Sequence, residues 1–249
     1  MKKAIYIFLL LFVQQSFAQN ITEANALYSI EKYDEAITIY ENILKQGKES
    51  STLYYNLGNA YYKTNKIAPA ILNYERALKL NPADNDIKFN LDLAKARTVD
   101  KIDAVEPFFL DTWMKSRINK ASSDQWAVRS VCCFILTLAL LLTYIFVRIR
   151  WIKKTAFFSA CFALVMVCMF MIFAAKQKKS ILNNDFGIVF SETVVIKGSP
   201  DESGTELFIL HEGTKVHVKN TFGNNKEWLE VETEDGNAGW IKSENIEII

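Results

Sequence analysis

The fold is decided by one stretch of the sequence, which reads YYNLGNAYYKTNKIAPAILNYERALKLNP over residues 54–82. This stretch takes part in an internal repeat with a period of 34 residues. The residues that recur at this spacing include Ala36 and Ala70, Tyr40 and Tyr74, Glu41 and Glu75, and Asn56 and Asn90. Small residues at Gly58 and Ala70 allow two antiparallel helices to approach closely, and Pro82 ends the second helix because proline lacks the N–H that would continue it. A repeat of this length predicts stacked helix pairs that share one core, so this part of the chain is predicted to be an all-α domain.

The same positions resemble the tetratricopeptide repeat. The residues that occupy its pattern in register are Tyr54, Leu57, Gly58, Tyr61, Ala70, Tyr74, Ala77 and Pro82. We predict a repeat domain over residues 19–105, in which a degraded first repeat precedes this one and a third helix from Asn85 caps the stack. The resemblance implies that the domain binds peptides or protein surfaces in a groove lined by the first helix of each repeat.

Five residues are predicted to face this groove. They are Asn25, Tyr55, Asn56, Asn59 and Tyr62. Asn25 and Asn56 stand where carboxylate-binding members of the superfamily carry asparagine, but the basic partners of such a site are not evident in the capping helix. For each of the five residues, a solvated or packing role is the alternative interpretation.

The charge distribution divides the chain into three parts. The net charge of +1 is a cancellation, because residues 108–185 carry 11 basic and 3 acidic side chains while residues 186–249 carry 5 basic and 12 acidic ones. Residues 19–107 are nearly balanced, with 11 basic and 13 acidic side chains. A basic middle between two acidic ends indicates a membrane segment between two soluble domains. The excess of positive charge that a nucleic-acid-binding protein needs is missing from the soluble parts.

The basic middle contains two long apolar stretches. Residues 128–147 and 155–175 are each about 20 residues long, which matches a hydrocarbon core of about 30 Å. The loop over residues 148–154 is too short for a domain, so the two stretches are predicted to form an antiparallel transmembrane hairpin. Its four positive charges favour the cytoplasmic side. All four cysteines lie in these helices, so the soluble domains are predicted to contain no disulfide.

The first 18 residues are typical of a secretory signal peptide. Lys2 and Lys3 precede a short apolar run, and the small residues Ser16 and Ala18 stand before a predicted cleavage site at Gln19. An uncleaved anchor helix is the alternative. With export of the N-terminal part and a return through the hairpin, we predict a two-pass protein of the bacterial inner membrane with both soluble domains in the periplasm. The three lysines that follow the second stretch, at 176, 178 and 179, count against this orientation.

Residues 106–127 connect the repeat domain to the membrane. Aromatic and aliphatic residues at 108–110, 113 and 114 are mixed with Lys115, Arg117 and Lys120. The pattern fits an amphipathic segment in the membrane interface. Packing against the repeat domain is the alternative.

The C-terminal part, residues 186–249, is predicted to be a small all-β barrel. Five β-branched runs, at 194–196, 207–210, 215–218, 228–231 and 239–241, are separated by turn residues. Their order resembles a bacterial SH3 domain, with the motifs Val-x-x-Gly-Ser-Pro, Leu-x-Glu-Gly-Thr, Trp-x-x-Val and Asp-Gly-x-x-Gly-Trp-Ile. The resemblance implies binding of cell-wall peptides or of proteins. Phe222, Trp228 and Trp240 are the candidate groove residues, although for Trp240 a core role is favoured, because Gly239-Trp240 usually packs the last strand.

The order of these parts resembles the repeat-containing member of the bacterial aerotolerance (Bat) protein family. That resemblance implies partners with von Willebrand A-like domains and a MoxR-type ATPase. We therefore predict a membrane-anchored interaction scaffold, with membrane lipid as a further contact. The alternative is a non-catalytic accessory that binds peptidoglycan through the SH3 domain. No catalytic, cofactor or metal site and no nucleic-acid partner are predicted, since no nucleophile, base or ligand cluster is recognisable.

Overall fold

The chain is seen in a computed structural model, which describes residues 20–102, 108–223 and 226–249. The predicted signal peptide, residues 1–18, lies outside the described residues. The chain forms two compact units. The first, here called the repeat–sheet unit, contains described residues 20–80, 84–102 and 184–249; the second, the hairpin unit, contains residues 81–83 and 108–183.

The repeat helices make up the N-terminal part of the repeat–sheet unit. They are α1 over residues 20–29, α2 (Tyr33–Lys45), α3 (Ser51–Lys63), α4 (Ile67–Leu80) and α5 (Asn85–Lys95). Two helix starts are fixed by side chains that accept hydrogen bonds from free backbone N–H groups. Ser50 caps α3 in this way, and Asp84 caps α5. The helical region predicted from the repeat is therefore present.

The packing of the repeat depends on a close contact between α3 and α4. A methyl group added at Gly58 would lie 2.8 Å from two ring carbons of Tyr74 and 3.3 Å from the carbonyl oxygen of Ala70. Tyr74 is fully buried, as are Leu57 and Ile71. The small residue at position 58 is thus required for the two helices to approach, as the repeat pattern predicts.

The C-terminal part of this unit is an antiparallel sheet. Its strands are β1 (Phe186–Val189), β2 (Thr193–Lys197), β3 (Glu206–His211), β4 (Lys215–Phe222), β5 (Trp228–Glu232), β6 (Ala238–Lys242) and β7 (Ile246–Ile248). The order across the sheet is β3-β2-β6-β5-β4-β1-β7, and every pairing is antiparallel. The five predicted runs all lie in strands. The short strands β1 and β7 were not predicted, because each has few residues and is defined by its pairing in the sheet, β1 with β4 and β7, and β7 with β1.

One face of the sheet forms its own core. The side chains of Ile196, Val216, Val231 and Ile241 on this face are buried. Ile188 of β1 instead joins the buried cluster of α3, α4 and α5. The sheet and the repeat helices therefore share part of one core.

The hairpin unit contains three helices. They are α6 (Phe109–Ile118), α7 (Ser123–Phe146) and α8 (Arg150–Leu182). Both α7 and α8 are long and apolar enough to cross a membrane. The first begins earlier than the predicted span, at a capping box formed by Ser122 and Gln125, and the second extends beyond the predicted span at both ends.

Small residues hold α7 and α8 together. Ala156, Ala160 and Ala163 of α8 are buried in the contact. Ser130 of α7 donates a hydrogen bond of 3.3 Å to the carbonyl oxygen of Val167. Close approach through small residues and a hydroxyl bond is how helices associate where lipid replaces water.

Candidate functional site

Asparagine side chains form a ladder across the first helices of the repeats. The Oδ1 atom of Asn25 in α1 accepts two hydrogen bonds, one of 2.5 Å from the hydroxyl of Tyr40 and one of 3.0 Å from Nδ2 of Asn56 in α3. Asn25 is exposed and Asn56 is half-buried. The predicted pair therefore lies together in the structure.

A second step of the ladder repeats the first. The Oδ1 atom of Asn59 accepts a bond of 2.8 Å from the hydroxyl of Tyr74 and one of 3.0 Å from Nδ2 of Asn90 in α5. Asn90 also donates to the hydroxyl of Tyr55 over 2.8 Å. Asn59, Tyr74 and Asn90 each stand 34 positions after their counterparts Asn25, Tyr40 and Asn56. The sequence repeat therefore places the same hydrogen-bond pattern at both steps.

The tyrosine hydroxyls fix the orientation of the asparagine amides. Burial raises the pKa of Tyr40 to about 12 and raises the pKa of Tyr74 as well. Both hydroxyls therefore stay protonated at neutral pH and donate to the Oδ1 atoms of Asn25 and Asn59. The Nδ2 groups of these two asparagines are not used in the ladder.

The ladder therefore offers a repeated pair of polar groups. At each step, one asparagine accepts a hydrogen bond through its Oδ1 atom, and its Nδ2 group is available as a donor. The other asparagine donates through its Nδ2 group, and its Oδ1 atom is available as an acceptor. One donor beside one acceptor is the complement of a peptide bond, which presents a C=O and an N–H. The arrangement suits the main chain of an extended peptide, as in other modes of recognition that use main-chain hydrogen bonds.

Two aromatic side chains flank the ladder near α5. Tyr62 is half-buried, and the guanidinium carbon of Arg97 lies 5.2 Å from its ring centroid. Arg97 also donates to the side chain of Asn65. The rings of Tyr55 and Tyr74 lie 6.1 Å apart. This end of the groove thus combines aromatic surface with one exposed cation.

Sequence reasoning did not include Tyr40, Tyr74, Asn90 and Arg97 among the site candidates, although Tyr40 and Tyr74 are recurring positions of the repeat. Asn90 carried a recognisable signal, since Asn56 and Leu57 recur as Asn90 and Leu91 after 34 positions. Arg97 carried none, because it follows the end of α5 and reaches Tyr62 only through the stacking of the helices.

The three aromatic candidates of the sheet lie on its outer face. Strand register pairs Phe222 with Trp228 and Glu230 with Trp240, and alternation along β5 places all four side chains on one face. The rings of Phe222 and Trp240 lie 6.2 Å apart at 76°. Trp240 is half-buried on the face opposite the core residue Ile241, so the core role favoured for Trp240 from the sequence is wrong.

The three aromatic side chains differ in how accessible they are. Phe222 is 55% exposed, whereas Trp228 is only 8% exposed. The ammonium group of Lys242 lies 5.9 Å from the centroid of the Trp228 ring. Phe222 and Trp240 are therefore the accessible part of this surface.

A buried carboxylate joins the repeat helices to the sheet. Glu75 of α4 receives the ammonium group of Lys215 from β4 at 2.7 Å and that of Lys95 from α5 at 2.9 Å. Burial alone would raise the pKa of Glu75, but the attraction of Lys215 and Lys95 outweighs it and holds the pKa below its usual value. The carboxylate stays charged between two cations.

A second carboxylate holds the turn between β3 and β4. Asp100 accepts hydrogen bonds from the backbone N–H of His211 at 2.8 Å and from the hydroxyl of Thr214 at 2.6 Å, and Nδ1 of His211 lies 2.7 Å away. Burial would raise the pKa of Asp100, but these bonds, led by that from Thr214, lower it overall. We call Glu75, Lys95, Lys215, Asp100, His211 and Thr214 the repeat–sheet contact.

The C-terminal strand completes this contact. Arg76 donates to the carbonyl oxygen of Ile248 over 2.6 Å and lies 3.2 Å from the carboxylate of Glu247. Gly213 lies against Ile71 and Thr98, and a methyl group added at this position would approach Thr98 to 2.7 Å. The contact is tight and uses both polar and apolar groups.

Comparison with known families identifies one module. Residues 51–84 match the family model of the tetratricopeptide repeat. This repeat is a non-catalytic interaction module, which implies protein partners in general. No curated protein matches the chain. Within the described residues, no group of three or more His, Cys, Asp or Glu side chains is placed to hold a metal ion.

Proposed function

We propose that the chain is a membrane-anchored interaction scaffold whose repeat groove binds an extended segment of a protein partner. The observation that carries the proposal is the two-step ladder of Asn25, Asn56, Asn59 and Asn90. Its amides are held in place by Tyr40 and Tyr74 before any partner arrives. Preorganised polar groups lose little conformational entropy on binding, so they favour recognition.

The hairpin of α7 and α8 supplies the anchor in this proposal. Both helices are long and apolar enough to span a bilayer, and most of their surface is exposed rather than buried. Large apolar side chains such as Phe134, Leu142 and Phe162 are exposed along them. A lipid environment accounts for such a surface, because an apolar area of this size is unfavourable in water.

The finer proposal places both soluble parts in the periplasm of a bacterial inner membrane. The signal-peptide pattern of residues 1–18 and the four cations between α7 and α8 support this orientation. The order of the parts supports a role in a complex resembling the Bat aerotolerance system. Proteins with von Willebrand A-like domains and a MoxR-type ATPase are the partners that this resemblance implies.

Photo-crosslinking in intact membranes tests the groove. A benzophenone amino acid replaces Tyr62 in the groove, and in a matched control it replaces Thr38, which is exposed on α2. We expect a defined protein partner to be captured from position 62 and not from position 38. Equal capture from both positions, or capture from neither, would contradict a partner site in the groove.

Orientation has its own test. Protease is added to spheroplasts, and antibodies against the repeat helices and against the sheet follow the two soluble parts. The periplasmic placement predicts that both are degraded. Survival of both while a periplasmic control protein is digested would place them in the cytoplasm.

A second candidate function rests on the sheet. We extend the proposal to an SH3-like fold for residues 186–249, supported by the motif order and by the antiparallel strands. Its outer aromatic face, with Phe222, Trp228 and Trp240, favours binding of peptidoglycan by a non-catalytic accessory protein. The 12 acidic against 5 basic residues of this part count against anionic wall polymers.

Sedimentation with purified peptidoglycan separates the two candidates. The accessory function predicts that the full chain sediments with the wall material and that Phe222→Ser abolishes this. As a matched control, Leu207→Ser removes another exposed apolar side chain of the sheet, 50% exposed, outside the three candidates. Absence of sedimentation in the unaltered chain argues against the wall-binding candidate, and retention of wall binding in both variants argues against Phe222 as part of its binding surface.

A further inference from the structure

Helix α6 presents a cluster of large apolar side chains to solvent. Phe108 and Phe109 are 69% and 70% exposed, and Trp113 is 51% exposed. Leu110 and Met114 are exposed as well. At about 100° per residue, Phe109, Leu110, Trp113 and Met114 lie on one half of the helix, here called the apolar half, which also includes Arg117 near the C-terminal end. Thr112 and Lys115 lie on the other half. The other side chains of α6 leave this apolar half exposed.

Helix α6 is fixed to one end of the membrane hairpin. The indole Nε1 of Trp126 in α7 donates a hydrogen bond of 2.8 Å to the carbonyl oxygen of Ile118, the last residue of α6. α6 lies against α8, and Ile118 and Gln177 are both buried. Ser123 of α7 donates to the carbonyl oxygen of Ala174, so α7 begins beside the last third of α8. The apolar half of α6 is therefore held where the predicted membrane span begins.

Six exposed cations surround this end of the hairpin. They are Lys115, Arg117 and Lys120 in and after α6, and Lys176, Lys178 and Lys179 in α8. The acidic residues of the same two segments are Asp111 and Asp124. The guanidinium carbon of Arg117 lies 5.5 Å from the ring centroid of Trp113, which is a pairing suited to the level of lipid headgroups. The fold has thus brought two basic clusters together although about 60 residues of hairpin separate them in the chain.

From this juxtaposition we infer that α6 lies on the membrane surface as a docking helix for anionic lipids. Its apolar half inserts among the acyl chains, and the six cations contact phosphate groups around it. The inference rests on the membrane anchoring in the proposed function, since the hairpin sets the level of α6. Two features favour lipid over a protein partner: α6 is joined to the start of α7, where the predicted membrane span begins, and the six cations lie at the same end of the hairpin.

Site-directed spin labelling of the full chain in lipid nanodiscs tests this inference. The four cysteines, Cys132, Cys133, Cys161 and Cys168, are first replaced by alanine. Single labels are then placed by Leu110→Cys on the apolar half of α6 and by Thr112→Cys on its polar half as a matched control. A third label, Leu138→Cys in α7, reports on insertion of the hairpin itself. Discs of phosphatidylcholine are compared with discs in which a quarter of the lipid is phosphatidylglycerol.

The expected result is a difference between the two labels of α6. In the anionic discs the label at 110 is reached by oxygen and shielded from an aqueous nickel chelate, while the label at 112 shows the reverse. Replacing Lys115, Arg117 and Lys120 by glutamine reduces the ratio of inserted to aqueous label at 110, by about fivefold per cation removed. The matched triple variant Arg150→Gln, Lys153→Gln, Lys154→Gln, at the other end of the hairpin, leaves that ratio unchanged.

Three results would overturn the inference. If the label at 110 is as accessible to the nickel chelate as that at 112, α6 is in water. If it is shielded from both reagents in every lipid, α6 is packed against protein. If it inserts equally in both lipid mixtures and the two triple variants agree, anionic lipid is not recognised. The label at 138 distinguishes these results from failure of the membrane anchor. It becomes accessible to the aqueous nickel chelate only if the hairpin does not span the bilayer.

Discussion

The carboxylate of Glu75 in α4 and the ammonium group of Lys215 in β4 lie 2.7 Å apart, although 140 positions separate them in the sequence. The side chain of Glu75 is only 8% exposed, and Lys95 forms its second ion pair. A carboxylate buried to this degree is unfavourable unless cations compensate it. The pairing therefore makes the sheet a structural part of the repeat region.

Loss of Lys215 is predicted to loosen the repeat–sheet contact. Removing one partner of a buried ion pair costs about 3–5 kcal/mol, and because Lys95 remains, we expect Lys215→Met to cost about 2 kcal/mol. Hydrogen exchange of the amides in β4 and α5, measured on the full chain in detergent, gives this opening free energy. The control is Lys219→Met, since Lys219 pairs with Glu232 at a more exposed site. Equal effects of the two variants would show that Glu75 does not depend on Lys215.

Acid is predicted to open the same contact. The pKa of Asp100 is lowered in the fold, so its bonds stabilise the contact above the unfolded carboxyl value of about 4 and are lost as the pH falls through the lowered value. The amide of His211 donates directly to Asp100, and its exchange rate reports on the loss. Relative to the sheet amide of Val231, we expect protection of the His211 amide to decrease below a pH of about 4.

The variant Asp100→Asn checks the source of this pH dependence. It removes the titrating group while keeping an acceptor oxygen, so the exchange ratio of the two amides should no longer change with acid in this range. A ratio that still falls in the variant would assign the effect to another group, with Glu75 the first candidate because its pKa is also lowered.

The ladder is predicted to depend on the tyrosine that orients each asparagine. In Tyr74→Phe the hydroxyl bond to Asn59 is lost, and the amide of Asn59 is then oriented only by the bond from Asn90. We expect binding of the crosslinked partner to weaken by about tenfold, which corresponds to one hydrogen bond of about 1.4 kcal/mol. The helical content should stay unchanged. Tyr33→Phe is the control, because Tyr33 packs edge-on against Tyr28 outside the ladder. Unaltered binding in Tyr74→Phe would separate the ladder from partner recognition.

Helix packing in the repeat is predicted to be intolerant of a single methyl group. Gly58→Ala places a Cβ atom 2.8 Å from the ring of Tyr74, so the helices must shift at a cost of about 1–3 kcal/mol. Gly198→Ala is a suitable control, since the nearest atoms to a new Cβ there lie at 3.6 Å. Thermal unfolding followed by circular dichroism compares the two variants. Equal melting temperatures would contradict the close approach of α3 and α4.

Local and periodic features of the chain could be predicted well. The 34-residue period led to the helix pair around Gly58, and the groove prediction included three of the four ladder asparagines, Asn25, Asn56 and Asn59. Residues one period apart take equivalent places in stacked helices. The long apolar runs led to α7 and α8. The aromatic candidates Phe222, Trp228 and Trp240 were named from the resemblance to an SH3 domain, and the strand register places them on one face.

Other features had no local signal. Asp100 and His211 are 111 positions apart, and nothing in either segment indicates that they meet. The contact of α6 with α8 had no local signal either, although the predicted antiparallel hairpin already placed the two basic clusters on the same side of the membrane. Strands β1 and β7 are so short that each depends on its neighbours in the sheet, β4 and β7 for β1, and β1 for β7.

By itself, the sequence determined the repeat helices, the apolar hairpin and the strand-forming C-terminal part, because periodicity and hydrophobic length act over neighbouring residues. The tertiary structure alone decided that the sheet docks on α4 and α5 through Glu75 and Asp100, and that α6 joins the basic end of α8. Such contacts depend on the burial of particular charges and apolar faces between segments far apart in the chain. Their free energy exists only when the fold has brought those segments together.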